Sequence, residues 1–294
     1  MGKYYYLIAG LPNIAFDDGK LPYTVLGFKD ELVDYLSKAD ARLLELFFLK
    51  IDNRNLLKLM QYPGYDPEPG GKIAGEEISG LLDGLKNEKE EEMPFKNKNK
   101  RLPAYFETFA RMYAEAVEKE EKAVIPWEDR LSALYYEHAM KCTNPFVSSW
   151  FELNLNINNI LAALACRKYK LERENYIVGQ TEAANKLRSS SARDFGLGDS
   201  LDYLPALLRA GEDAELLQRE KKVDALKWEW LGERTFARVF DVESVLAYLL
   251  KLEILERWNG LDKATGEKTF RQLVGTMKTG SGNALEEFKR NNKK

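Results

Sequence analysis

The segment PAYFETFARMYAEAVE, residues 103–118, places apolar side chains three and four positions apart. This spacing puts them on one face of an α-helix, and a proline is tolerated in the first turn because its missing N–H would have no partner there. The segment therefore predicts a long amphipathic helix. Its apolar positions are Tyr105, Phe106, Phe109, Met112, Tyr113, Ala116 and Val117.

The same helical spacing recurs on both sides of this segment. Strict alternation of apolar and polar residues, which would indicate β-strands, is sustained nowhere. The pattern therefore predicts an all-α fold. One exception is the opening YYYLIAGLP, where three tyrosines followed by Leu7 and Ile8 predict a short strand or extended segment. The other predicted helices cover residues 28–36, 41–48, 127–140, 151–169, 176–187, 202–209, 214–230 and 242–258.

The density of prolines, glycines and charges suggests how the helices are grouped. YPGYDPEPGGKIAG, residues 62–75, contains three prolines and four glycines and predicts a loop that closes a first helical lobe, 1–75. Residues 76–101 are expected to form a charged linker. Residues 102–278 are expected to hold second and third lobes packed as one body, followed by a mobile tail, 279–294.

Composition limits the classes of partner. Apolar residues make up 45% and charged residues 31%, and 44 basic side chains nearly balance 47 acidic ones, so no broad basic face is expected for nucleic acid. Two cysteines, Cys142 and Cys166, are too few for a disulfide framework and suggest a reducing compartment. No stretch reads as a secretion signal or a membrane span, so we expect a cytoplasmic protein that meets membranes only through partner proteins.

The sequence offers no motif for catalysis. His138 is the one histidine, which excludes a multi-histidine metal site and favours a packing role. The run GTMKTGS, residues 275–281, lacks the lysine that follows the second glycine of a phosphate-binding loop. Glu90, Glu91 and Glu92 are consecutive, so on a helix they point in different directions and do not form an acid pair or a metal site. We therefore predict no catalytic residue, cofactor or metal. The alternative is an enzyme with a site assembled from scattered side chains, which would show as a deep polar pocket.

Two segments resemble one another. FFLKIDNRNLLKLM, residues 47–60, aligns with FELNLNINNILAAL, residues 151–164, and the alignment pairs Asp52 with Asn156 and Asn55 with Asn159. Short polar side chains before an apolar helical face are typical N-caps, each stabilising its helix by about 1 kcal/mol, so Asp52 and Asn156 are predicted to begin two helices. The alternative is that both segments are ordinary capped core helices and that their similarity has no functional significance.

The repeated segments also resemble a known family. LKIDNRNLLKLM, residues 49–60, and its second copy within 150–172 are similar to a segment of the C subunit of archaeal and bacterial V/A-type ATPases, called d in eukaryotes. FDVESVLAYLLKLEILERW, residues 240–258, resembles a C-terminal segment of that family, with Ala247, Tyr248 and Glu253 in matching positions. The opening KYYYLIAGLPNIAFDD resembles a bacterial family encoded beside V-type ATPase genes.

The resemblance implies a funnel of helical lobes in pseudo-repeat. It implies a non-catalytic central-stalk subunit that links the rotating shaft to the membrane proteolipid ring, with protein partners on two surfaces. Tyr4, Tyr5 and Tyr6 are candidate partner contacts. The alternative of a different class is a free-standing helical scaffold or adaptor, in which the repeat serves only folding.

Overall fold

The computed structural model describes residues 4–62, 64–91, 101–120 and 124–261. Within these ranges the backbone forms eleven α-helices and one 3₁₀ turn, Arg173–Asn175, and it forms no β-strand. The all-α prediction is confirmed. The helices are α1 (Tyr5–Gly10), α2 (Val25–Tyr35), α3 (Lys38–Gln61), α4 (Gly75–Glu91), α5 (Ala104–Glu118), α6 (Trp127–Met140), α7 (Pro145–Tyr169), α8 (Glu182–Ser189), α9 (Leu204–Gly211), α10 (Leu216–Thr235) and α11 (Val242–Gly260).

Most helices lie where the apolar spacing predicts them. α5 occupies the predicted amphipathic segment, with Pro103 immediately before its first turn. Phe106 and Phe109 on its apolar face are fully buried, whereas Met112 and Val117 are exposed. The helix predicted over 176–187 begins later than expected. Thr181 is its N-cap, and the hydroxyl oxygen accepts the backbone N–H of Ala184 at 3.1 Å.

The start of the described chain is helical, so the prediction of a strand or extended segment there is wrong. Tyr4 donates its backbone N–H to the carbonyl of Phe240 at 2.8 Å and its hydroxyl to Asp40, and α1 follows directly. A strand without a neighbour leaves its backbone groups unpaired, whereas a helical turn pairs them locally. The helical turn is favoured here because no strand in the described residues is available to pair with this segment.

The prediction that Asp52 and Asn156 begin helices is also wrong. Both lie in the middle of long helices, α3 and α7, and both are almost fully buried. The true N-caps are Ser37, whose hydroxyl accepts the N–H of Asp40 at 3.1 Å, and Asn144, whose side-chain oxygen accepts the N–H of Val147 at 3.1 Å. Because these upstream residues already cap the first turns, the helices continue through the polar positions.

The predicted charged linker, 76–101, is wrong for its first part. Residues 76–91 belong to α4, which packs against α3 and α5 and buries Ile78 and Leu81. A high density of charge is therefore compatible with an amphipathic helix whose apolar face is packed.

Several predictions fall outside the described residues. These are the part of the linker over 92–100, the end of the proposed lobes over 262–278, the phosphate-loop-like run 275–281 and the tail 279–294. The division into lobes stays a prediction. What the described residues do show is one continuous apolar core that extends from Tyr4 to Ile254.

The three helices that carry the segments resembling C subunits, α3, α7 and α11, begin at the same end of the molecule. Tyr4 contacts Ser37 before α3 and Phe240 before α11, and Asn144 before α7 donates to the Glu243 carboxylate at 3.1 Å. Further along, α3 meets both of the others through side chains of its middle part. The helices α3, α7 and α11 therefore run in the same direction and contact each other through individual side chains.

None of the helices in the described ranges combines the length and the apolar character needed to cross a membrane.

Candidate functional site

Asn55 and Asn159, which the sequence alignment pairs, form the same two hydrogen bonds. The Asn55 amide donates to the carbonyl of Glu68 at 2.9 Å and accepts the N–H of Glu68 at 2.8 Å. The Asn159 amide donates to the carbonyl of Val178 and accepts the N–H of Val178, both at 2.8 Å. Each asparagine thus holds the loop that follows its own helix, and each is 1% exposed. The two segments share a local structure as well as a sequence pattern.

Asp52 and Asn156 differ in their partners although they are aligned. The Asp52 carboxylate accepts the backbone N–H groups of Lys72 at 2.9 Å and Ile73 at 3.1 Å. Burial raises the pKa of this carboxyl, and the two N–H groups oppose that rise. Asn156 donates to the hydroxyl of Tyr203 at 3.3 Å, and no donor in the described part of the chain reaches its buried side-chain oxygen. Both side chains are structural anchors inside helices.

A cleft lies where α3, α6, α7, α10 and α11 converge, and we call it the central cleft. Its volume is about 470 Å³, and it is open to solvent on one side. Both repeated segments and the third family-like segment contribute to it through residues in the middle of α3, α7 and α11. Its lining consists of Phe47, Lys50, Asn53, Arg54, Leu57, Glu128, Leu131, Ser132, Tyr135, Tyr136, Trp150, Phe151, Asn154, Asp224, Lys227, Leu250, Glu253, Ile254 and Arg257.

Aromatic rings form one wall of the central cleft. Phe47 and Phe151, which occupy equivalent positions in the aligned segments, stack with ring centroids 5.3 Å apart and planes 15° apart. Tyr135 packs edge-on against Phe151 and donates its hydroxyl to the carbonyl of Leu46 at 2.8 Å. Burial raises the pKa of Tyr135 well above its ordinary value, so its hydroxyl stays protonated. This wall is apolar and held in place by packing.

Charged side chains line the other side of the central cleft. Lys50 of α3 pairs with Glu253 of α11, one of the family-matching residues. Arg257 pairs with Asp224, which also accepts the indole N–H of Trp258 at 2.8 Å. The acids and bases that line this side are therefore largely engaged with one another.

Besides the exposed Glu128, Lys227 is the one charged residue of the lining that forms no ion pair with described residues. Among the described residues no carboxylate lies within ion-pair distance of its ammonium, because the nearby Asp224 and Glu253 are taken by other donors. Burial lowers the pKa of Lys227, although the surrounding acids act in the opposite direction. The cleft thus contains a partly desolvated cation without a direct counter-ion.

The remaining family-matching residues lie on α11 outside the cleft. Ala247 is buried in the core. Tyr248 packs edge-on against Phe28 and donates its hydroxyl to the carbonyl of Pro12 at 3.0 Å. Tyr248 thus fixes α11 against the N-terminal part of the chain. Of the three residues, only Glu253 lines the central cleft.

The N-terminal tyrosines divide into one core residue and two surface residues. Tyr4 is 8% exposed, and burial is the main cause that raises its pKa. Tyr5 and Tyr6 are exposed and lie with Tyr35 around a shallow recess, and Tyr5 contacts the Phe240 ring at 4.6 Å. We call Tyr5, Tyr6, Tyr35 and Phe240 the aromatic patch. Large exposed aromatic residues of this kind are enriched at protein interfaces.

His138 is half buried beside the Tyr105 ring, with centroids 5.2 Å apart, and burial lowers its pKa, as the predicted packing role requires. In the described part of the chain no group of three His, Cys, Asp or Glu side chains is arranged to hold a metal.

Sequence reasoning missed Lys227 and most of the central cleft, because five helices far apart in the chain supply the lining. The aromatic residues at equivalent repeat positions, Phe47 and Phe151, were the available signal.

Comparison with known proteins places the chain in a family. The family described as "Protein of unknown function (DUF2764)" matches residues 1–281. No curated protein and no solved structure matches the chain. Since the family match covers most of its 294 residues, the chain belongs to the DUF2764 family.

Proposed function

We propose that this protein is a non-catalytic central-stalk subunit of a V-type ATPase, in which it joins the rotating shaft to the membrane proteolipid ring. The shaft end enters the central cleft, and the aromatic patch belongs to a second surface that meets a protein partner. The sequence resemblance of residues 49–60, 150–172 and 240–258 to C subunits is the starting point.

The observation that carries the proposal is that all three family-like segments meet at one place. Each contributes side chains to the central cleft: Lys50 from the first, Phe151 from the second and Glu253 from the third. Equivalent residues of a duplicated unit touch one another only near the axis that relates the copies, and Phe47 stacks directly on Phe151. This contact supports the central cleft, which both residues line, as the proposed seat for the end of the shaft.

The two proposed surfaces are separated along the same helices. The aromatic patch lies beside the residues that precede α3 and α11. Lys50 and Glu253 lie twelve and eleven residues beyond the first residues of these helices, which corresponds to roughly 16–18 Å along a helix axis. The chain can therefore contact one partner at each position without the two competing.

The proposal is tested with purified shaft subunits of the V-type ATPase from the same genome. We expect a stable complex by size-exclusion chromatography, lost when Asn154→Trp fills the central cleft and retained in the exposed control Lys168→Trp. Isolation of the tagged chain from native membranes should recover the ATPase in defined stoichiometry. Failure of the wild-type chain to bind the shaft and to co-purify with any ATPase subunit would overturn the proposal.

The central cleft also supports a second candidate, a binding site for a small molecule. Its volume lies within the range of roughly 300–1,000 Å³ typical of ligand pockets, and a lysine with a lowered pKa lines it beside aromatic rings. This candidate predicts that a small ligand, without any protein partner, raises the thermal midpoint of the isolated chain. The convergence of three family-like segments favours the stalk function.

A further inference from the structure

Lys227 carries a charge that the folded chain leaves without a direct partner. It lies on α10 and lines the central cleft, one helical turn after Asp224. Asp224 is held by Arg257 and by the Trp258 indole, and Glu253 is held by Lys50. No other described carboxylate comes within ion-pair distance of the Lys227 ammonium.

This arrangement is unfavourable in the isolated chain. Removing an ammonium from water without a compensating charge lowers its pKa, and burial is the main cause of the lowered pKa of Lys227. An incoming carboxylate would restore the lost interaction in a setting where water screens the charges less than at the surface. Phe47, Trp150 and Phe151 line the same cleft and offer apolar contact to the groups next to that carboxylate.

We propose that the segment of the shaft that enters the central cleft presents a carboxylate among apolar side chains, and that Lys227 is the counter-ion that receives it. This inference rests on the proposed function and specifies the chemistry of the partner. The charges of the lining support this occupant. The Lys227 ammonium is partly desolvated and has no ion-pair partner among the described residues, whereas the other unpaired charge of the lining, the Glu128 carboxylate, is exposed to solvent. The aromatic residues of the lining disfavour a highly charged ligand.

The test compares matched lysine variants of the full-length chain for binding to the purified shaft subunit. Lys227→Met removes the ammonium from the cleft, and Lys227→Arg keeps the charge. Lys222→Met is the control, since it makes the same change on α10 at an exposed surface pair with Asp213. We expect Lys227→Met to weaken binding at least tenfold and to reduce its dependence on salt. Lys227→Arg and Lys222→Met should stay within about threefold of wild type.

A second readout separates this role from a structural one. Because the unpaired ammonium is unfavourable in the isolated chain, Lys227→Met should raise its thermal midpoint while it weakens binding. A residue needed only for folding would lower both. Equal binding by wild type and Lys227→Met would overturn the inference and leave the stalk function standing.

Two further outcomes concern the occupant itself. If the wild-type chain does not bind the shaft subunit, the proposed function fails and the inference fails with it. If succinate at millimolar concentration raises the midpoint of wild type but not of Lys227→Met, and the shaft does not bind, the occupant is a small carboxylate and the protein-partner inference is overturned.

Discussion

The two asparagines that hold the loops after α3 and α7 give a quantitative prediction. Asn159→Ala removes two backbone hydrogen bonds to Val178, and Asn55→Ala removes two to Glu68. A net hydrogen bond contributes about 1 kcal/mol, and a buried backbone group left unpaired costs about 1–3 kcal/mol more. Since the released loop can partly reach water, we expect each variant to lose about 2–4 kcal/mol of unfolding free energy.

The matched control is the neighbouring Asn158, which is exposed and makes only a 3.3 Å contact with the hydroxyl of Tyr136. Asn158→Ala should change the unfolding free energy by less than about 0.5 kcal/mol. Urea denaturation followed by circular dichroism measures all three variants, with an unchanged denaturant slope as the check that the reference states are comparable. A loss below about 1 kcal/mol for both Asn55→Ala and Asn159→Ala would refute the reasoning.

Three further predictions concern the interior around α3. Burial raises the pKa of Asp52 above its ordinary value of 3.8. The contribution of this shift to the unfolding free energy is therefore fully present below pH 3.8 and is lost as the pH rises through the pKa of the folded state. Asp52→Asn should remove this pH dependence, which denaturation at several pH values measures. Gly71→Ala places a methyl group against the Asp52 carboxylate and should lower stability by more than about 2 kcal/mol, whereas Gly80→Ala, which meets open space on α4, should not lower it. Tyr105→Phe removes the 2.6 Å hydrogen bond to the Asn53 side chain and should cost about 1–2 kcal/mol by chemical denaturation.

Local sequence pattern was sufficient for most of the described helices, but it missed α1 and α4 and misplaced several helix ends. The spacing of apolar residues located α5 and α6 closely, because amphipathic periodicity is a property of one segment alone. The true starts of α3 and α7 also had local signals: Ser37 lies three residues before Asp40, and Asn144 precedes Pro145. Greater weight on these signals would have avoided the misplaced caps at Asp52 and Asn156.

Other features depend on contacts between distant segments and could not be predicted locally. The role of Asp52 becomes visible only when residues 72 and 73 return to α3, and the helical form of residues 5–10 depends on Phe240. The unpaired state of Lys227 depends on which donors reach Asp224 and Glu253 from other helices. Such arrangements are products of tertiary packing, which leaves no periodic trace in the sequence.

The shared direction of α3, α7 and α11 has a mechanical consequence. They contain 24, 25 and 19 residues, or roughly 36, 38 and 29 Å, and no proline or glycine interrupts their interiors. The three helices begin at the same end of the molecule, and α3 contacts the other two through Lys50 with Glu253 and Phe47 with Phe151. Under the proposed function, a force applied at the central cleft would be carried to the aromatic patch along three uninterrupted helices.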